Sequence, residues 1–204
     1  MDVAGSVEEQ IAGAAAAIRR GEVVVYPTET VYGLGTDPFS ESAVRRLYAI
    51  KERDTANPVL LIVDGLDQLR EVVREVSVTA EAYARRFWPG PLSMLFPRSR
   101  RLPDVLTGGL DEVCVRWTSH PLARSLCREV GHAITSTSAN LSGQPAARSL
   151  EDVKLEGLGG KVDGGLLPPS LPSTVFDPST GSILREGAIS AEVLLRAGRD
   201  GVYT

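Results

Sequence analysis

Cysteine and histidine are scarce in this chain: 204 residues hold two of each. Cys114 and Cys127 lie in apolar runs, and neither belongs to a Cys-x-x-Cys pair. That excludes a disulfide framework and a zinc ribbon, and leaves both thiols as small core residues in a reducing, cytoplasmic compartment. His120 and His132 have no metal-ligand spacing and no carboxylate placed as a relay, so both read as structural and no protein-held metal is expected. No apolar run approaches the ~18 residues of a membrane span. The start, Met1-Asp2-Val3-Ala4-Gly5, lacks the basic region of a secretory leader. Basic excess is missing too: the net charge is −4 and the pI about 5.3. A nucleic-acid-coating surface is thereby excluded, but a local cluster of cations around a small anion is not. There is no Gly-x-x-x-x-Gly-Lys-Ser/Thr loop: Gly157-Leu158-Gly159-Gly160-Lys161 is followed by Val162. Gly-x-Gly-x-x-Gly, Gly-x-Ser-x-Gly and His-Glu-x-x-His are absent as well. P-loop, dinucleotide-binding, α/β-hydrolase and zincin chemistries drop out with them.

What is present is an ordinary globular composition, 43% hydrophobic, long enough for one domain over 1–204 with a core that needs no staples. The chain turns on one stretch. Glu22 to Tyr26 is a β-branched run that closes at Pro27, and Thr28, Glu29, Thr30, Gly33 and Gly35 follow as a polar, glycine-bearing loop that ends the strand. Ser40 caps a helix whose stripe is Val44, Leu47 and Tyr48, and whose far end delivers Lys51 and Arg53. Apolar strand resumes at once, Pro58 to Val63. Two cations on so tight a connection belong beside the first loop if these strands pair.

The remainder supplies scaffold and two more polar strand ends. Ser6-x-x-Glu9 is a capping box for a helix with Ile11, Ala14, Ala15 and Ile18 on one face, ended by Gly21. Leu66 to Val73 and Thr79 to Phe87 are further helices. Pro89-Gly90-Pro91 is a turn, Leu92 to Phe96 a strand, and Arg98, Arg100 and Arg101 a solvated basic loop. Glu112 to Trp117 alternates as a strand with Arg116 near its end. His120-Pro121 opens a helix. Ala133 to Gly143 starts as a strand and turns into the hydroxyl-rich Ser136-Thr137-Ser138-Ala139-Asn140. Ser173 and Arg185 mark the two ends of a hairpin through Pro178 to Gly181. Ser190 caps a final helix. Residues 155–172, rich in glycine and proline, have no legible element. Strand exits carrying hydroxyls, an amide and cations, with no metal-ligand cluster, suit a phosphorylated ligand in one shared cleft.

In order along the chain, Tyr26-Pro-Thr-Glu-Thr-Val-Tyr-Gly-Leu-Gly35, Lys51-x-Arg53, Asn57-Pro58, Pro89-Gly-Pro, Val115-Arg116, Ser136-Thr-Ser-Ala-Asn-Leu-Ser-Gly143 and Ser173-Thr-Val resemble the YrdC/Sua5/TsaC family of threonylcarbamoyl-AMP synthases over residues 21–187. The resemblance implies an α/β fold, a twisted mixed β-sheet with flanking helices around a central cavity (YrdC/RibB-like). It implies conversion of ATP, L-threonine and bicarbonate or CO2 to threonylcarbamoyl-AMP and pyrophosphate, the first step of N6-threonylcarbamoyladenosine formation at position 37 of tRNA. By matching position, Lys51, Arg53, Ser138 and Asn140 would be catalytic. These four with Asn57 and Arg185 would hold ATP, and Thr30, Arg116, Ser136 and Ser173 would hold threonine. Mg²⁺ would arrive with ATP, with no tightly bound cofactor. The product would pass to a tRNA threonylcarbamoyl-transferase complex, with direct tRNA binding weak or absent. Two departures stand out. Ile62 occupies a position where some longer members have a histidine beside threonine, and the chain has the length of the short, TsaC-like form without a second C-terminal domain. A non-catalytic RNA-binding module of the same fold, or a sister enzyme with another acyl acceptor, remains open.

Overall fold

In a computed structural model that describes residues 5–201, nine strands form one mixed sheet, with seven helices around it. The helices are α1 (Val7–Arg19), α2 (Glu41–Lys51), α3 (Leu66–Val72), α4 (Val78–Phe87), α5 (Asp104–Thr107), α6 (Pro121–Val130) and α7 (Ala191–Gly201). The strands are β1 (Val23–Pro27), β2 (Tyr32–Gly35), β3 (Leu60–Val63), β4 (Leu92–Pro97), β5 (Glu112–Trp117), β6 (Ile134–Ser138), β7 (Leu158–Lys161), β8 (Thr174–Asp177) and β9 (Ser182–Arg185). Their order across the sheet is β7-β1-β2-β6-β3-β5-β4-β8-β9. The β7/β1, β3/β5 and β4/β8 pairs are parallel and the others antiparallel.

The alternation of side chains along each strand divides the fold into two cores. Val23, Val25, Leu34, Leu61, Val63, Met94, Phe96, Val113 and Val115 face one side, where α2, α3 and α4 bring Val44, Leu47, Leu69, Val72 and Tyr83. Val24, Tyr26, Ile62 and Ile134 face the other, against Ala14, Ile18, Leu126 and Cys127 of α1 and α6. These two helices cover only part of their face. Farther along the same face, Leu95, Cys114, Arg116, Val175 and Leu184 form the wall of an open cleft. The cleft is thus the uncovered half of one sheet face, and its lining is fixed by strand parity.

The caps read from sequence are present. Ser6 and Glu9 make the reciprocal capping box of α1, and Ser40 accepts from the Ala43 N–H at the start of α2. Several expectations give way. Gly33 and Gly35 do not end the strand: they lie within fully buried β2, a hairpin partner of β1. A Cβ on Gly35 would come 2.7 Å from the Tyr26 ring, so glycine here makes room for an aromatic on the neighbouring strand. β2 and β3 do not pair directly, because β6 runs antiparallel between them. Residues 155–172 contain β7, an edge strand whose Gly159 and Gly160 face Glu22 and Ala14 with no room for side chains. In the basic loop Arg100 and Arg101 are exposed as expected, and Arg98 is the exception. Arg98 is mostly buried and donates to the Leu102 carbonyl, and Arg101 lies 4.7 Å over the Phe39 ring. Cys127 is a core residue, but Cys114 is in the cleft wall, where burial pushes its thiol up to about 12.

Candidate active site

The cleft has a volume of about 700 Å³, within the range that holds a nucleotide-sized ligand. One end is built by the β1–β2 turn. The Thr28 hydroxyl donates to the Val31 carbonyl at 2.7 Å and accepts from the N–H groups of Thr30 and Val31. This fixes Thr30, whose hydroxyl lies 3.1 Å from that of Thr28. Ser170 closes the turn from outside by donating to the Thr30 carbonyl at 2.7 Å. Gly33 and Ser136, on adjacent antiparallel strands, continue the floor.

The second group of residues comes from the end of α2. Lys51 is its last residue and Glu52 is left-handed at φ 49°, which turns the chain so that Lys51 and Arg53 leave in different directions. Lys51 is 1% exposed, not a solvated helix end. Its ammonium donates to the carbonyls of Ser138 at 2.5 Å and Asn140 at 2.8 Å, and its own carbonyl accepts from the Ser142 N–H and hydroxyl. Lys51 therefore clamps the loop after β6 and stands behind the cleft wall. Burial, and then the neighbouring Arg53, push this ammonium down to about 8. Arg53 lines the cleft, anchored by donation to the carbonyls of Asn57 at 3.2 Å and Pro58 at 2.9 Å.

A third group closes the far end. Arg185 of β9 donates to the Ser173 carbonyl and hydroxyl, and Ser93 donates to the same hydroxyl at 2.9 Å. The ends of the β8–β9 hairpin are thus bonded to each other, with Ser173 3% exposed. Between the groups stands Arg116, also 3% exposed, on the cleft-facing side of β5.

Thr30, Arg53, Arg116, Ser136, Ser138, Ser173 and Arg185 therefore line one cleft. Lys51 reaches it through the loop it holds. Asn57 does not line it; its main-chain carbonyl serves Tyr48 and Arg53. Asn140 borders an adjoining cavity of about 570 Å³ and donates to the Gln144 carbonyl at 2.5 Å. Ile62 pairs in register with Arg116 but is sealed in the α1/α6 core. Sequence reasoning passed over Glu29, 3.4 Å from Arg116 and accepting from Thr118 at 2.5 Å. It looked like one more polar loop residue, and only the fold shows the turn carrying it under β5. Among the described residues no group of three or more His, Cys, Asp or Glu could hold a metal ion.

A family model named for Sua5, YciO and YrdC, and described as "Telomere recombination", matches residues 16–187. The chain belongs to the Sua5/YciO/YrdC family. A family member from Thiobacillus denitrificans, a threonylcarbamoyl-AMP synthase, is 45% identical over 187 residues, 91% of this chain and 100% of the relative. The threonylcarbamoyl-AMP synthase of Pseudoalteromonas translucida is 40% identical over 88% of this chain and 99% of its own. The structure of Pyrococcus abyssi Sua5 complexed with L-threonine superposes with TM-score 0.87 at 38% identity, over 93% of this chain and 57% of that one. Escherichia coli YciO, at TM-score 0.77 and 24% identity, shares the fold. The expected architecture, a twisted mixed sheet with flanking helices, is the one these family members share.

Proposed function

We propose that this chain is a threonylcarbamoyl-AMP synthase, a nucleotidyltransferase that joins ATP, L-threonine and bicarbonate or CO2 and releases pyrophosphate. The observation that carries this reading is the cleft itself: Arg53, Arg116 and Arg185 with Thr30, Ser136, Ser138 and Ser173 in one hollow, at the places the family motifs mark. The threonine amine takes up CO2 as a carbamate and loses a proton. A carbamate oxygen then attacks the α-phosphorus of ATP, and the bond to the β-phosphate oxygen breaks as pyrophosphate leaves. Negative charge gathers on phosphorus-bound oxygens, so fixed cations and donors do more for this step than an acid–base pair.

Arg116 takes the threonine carboxylate, with Thr30, Ser136 and Ser173 around the rest of the amino acid. Arg53 and Arg185 meet the phosphates, and Ser138 and Asn140 sit on the loop that Lys51 holds at the carbamate and α-phosphate. Asn57 contributes through its carbonyl, which holds the Arg53 guanidinium in the cleft. Mg²⁺ comes as the ATP complex. The product then goes to a transferase complex that modifies tRNA in the cytoplasm. Pyrophosphate release measured with each substrate omitted in turn tests the reading. Dependence on both threonine and bicarbonate is expected, and release that ignores either one contradicts it.

A further inference from the structure

Two chemically different anions, a carboxylate and a triphosphate, have to share a cleft lined by three arginines. Something must sort them. Among Lys51, Arg53, Arg116 and Arg185, only Arg116 has a carboxylate of the described residues at ion-pair distance: Glu29 Oε1 lies 3.4 Å from its Nε. Both atoms are buried, and neither completes a hydrogen bond among the described residues. The pair is held by charge and position, not by a directed bond. Glu29 is fixed from its other oxygen, which accepts from the Thr118 hydroxyl at 2.5 Å. Thr118 is fully buried and accepts in turn from the His120 N–H at 3.2 Å. Burial holds the His120 imidazole below its ordinary value, against the pull of Glu29. Near neutral pH it therefore adds no charge. The Arg116–Glu29 pair thus sums to zero in the middle of the cleft, while Arg53 and Arg185 have no carboxylate at ion-pair distance among the described residues.

We propose that Glu29 is a specificity-determining positioning residue: by cancelling the charge of Arg116 while holding its guanidinium in place, it reserves that guanidinium for the carboxylate of a zwitterionic amino acid and turns phosphates away. A zwitterion carries no net charge and needs only a directed fork for its carboxylate. A triphosphate gains from net positive charge, and at Arg116 it would meet Glu29 as a buried like charge. This rests on the reading of the cleft as a site for threonine and ATP.

Glu29→Gln keeps the shape and an acceptor for Thr118 and removes the charge. The probes are L-threonine, followed by calorimetry and steady-state kinetics, and inorganic tripolyphosphate as a phosphate mimic. In the natural protein, tripolyphosphate should compete with ATP and not with threonine. In Glu29→Gln the threonine KM should rise about tenfold with the ATP KM within about twofold, and tripolyphosphate should now compete with threonine as well. A merely structural role would lower activity or stability without changing that inhibition pattern. Should Glu29→Gln fail to fold, Glu29→Ala, which removes the same charge with less bulk, should shift the pattern in the same direction. A natural protein that binds L-threonine, with variants that sort the two anions unchanged, overturns the proposal alone. A natural protein that binds no L-threonine in calorimetry overturns the reading beneath it and the proposal together.

Discussion

Lys51 gives the sharpest test, because its charge and its hydrogen bonds can be removed separately. A neutral amine keeps two N–H donors, enough for the carbonyls of Ser138 and Asn140. Raising the pH therefore removes the charge and leaves the clamp. The ordinary value of 10.5 falls to about 8 in the fold, so the charge is complete only well below pH 8 and is lost as pH rises through it. With a phosphate about 8 Å from the ammonium at an effective dielectric of about 20, the attraction is about 2 kcal/mol. Bound phosphate holds the proton more tightly in turn, so the ATP dissociation constant should rise about fifteenfold between about pH 7 and about pH 9.5. Folding stability moves the other way for this group. The unfolded chain binds the extra proton between 8 and 10.5, so stability grows with pH across that window. Lys51→Met removes charge and clamp together. Two buried carbonyls lose their donor at about 1–3 kcal/mol each, and removal of a desolvated charge offsets part of that. A net loss of about 2 kcal/mol lowers Tm by about 4–8 °C. Calorimetric ATP titration across pH and thermal melts of the variant check both arms. An ATP affinity that stays flat to pH 9.5, or a variant that binds ATP like the natural protein, refutes the reasoning.

Arg116→Lys keeps the charge beside Glu29 but loses the fork, so the threonine KM should rise tenfold or more, on the order of one lost bidentate contact, with little change for ATP. A defect confined to ATP would show that Arg116 serves the other ligand. Gly35→Ala should lose about 1–3 kcal/mol through overpacking against the Tyr26 ring. Gly13→Ala, inside α1 with nothing within 4 Å, should gain up to about 1 kcal/mol; thermal melts of the pair decide whether close approach explains Gly35. Chelation with EDTA should stop turnover and leave the Tm of the ATP-free protein unchanged. A chelator-dependent fall in Tm would point to a protein-held metal.

Much of this fold could be read from the chain alone because helix stripes and caps are local. The Ser40 cap, the Val44–Leu47–Tyr48 stripe and the strand ending at Val63 needed no tertiary knowledge. Helix α5 is one short turn that the sequence did not mark, and β2 and β7 were missed because in each a glycine serves a neighbour. Gly33 and Gly35 look like a loop until the Tyr26 ring is laid beside them, and Gly159 and Gly160 show no element until Glu22 and Ala14 take the space. The site residues were visible as polar strand ends, but their roles depend on pairings the sequence does not show. Lys51 works through two carbonyls 87 and 89 positions away. Glu29 meets Arg116 only because the β1–β2 turn folds under the end of β5.

The measurement closest to the centre of this account is mass spectrometry of the product formed from ATP, isotopically labelled bicarbonate and a mixture of amino acids. A single adenylate carrying the labelled carbon and one threonine is the predicted species. An aminoacyl adenylate without the labelled carbon, or ATP recovered intact, would contradict the joining of threonine, bicarbonate and ATP in one cleft.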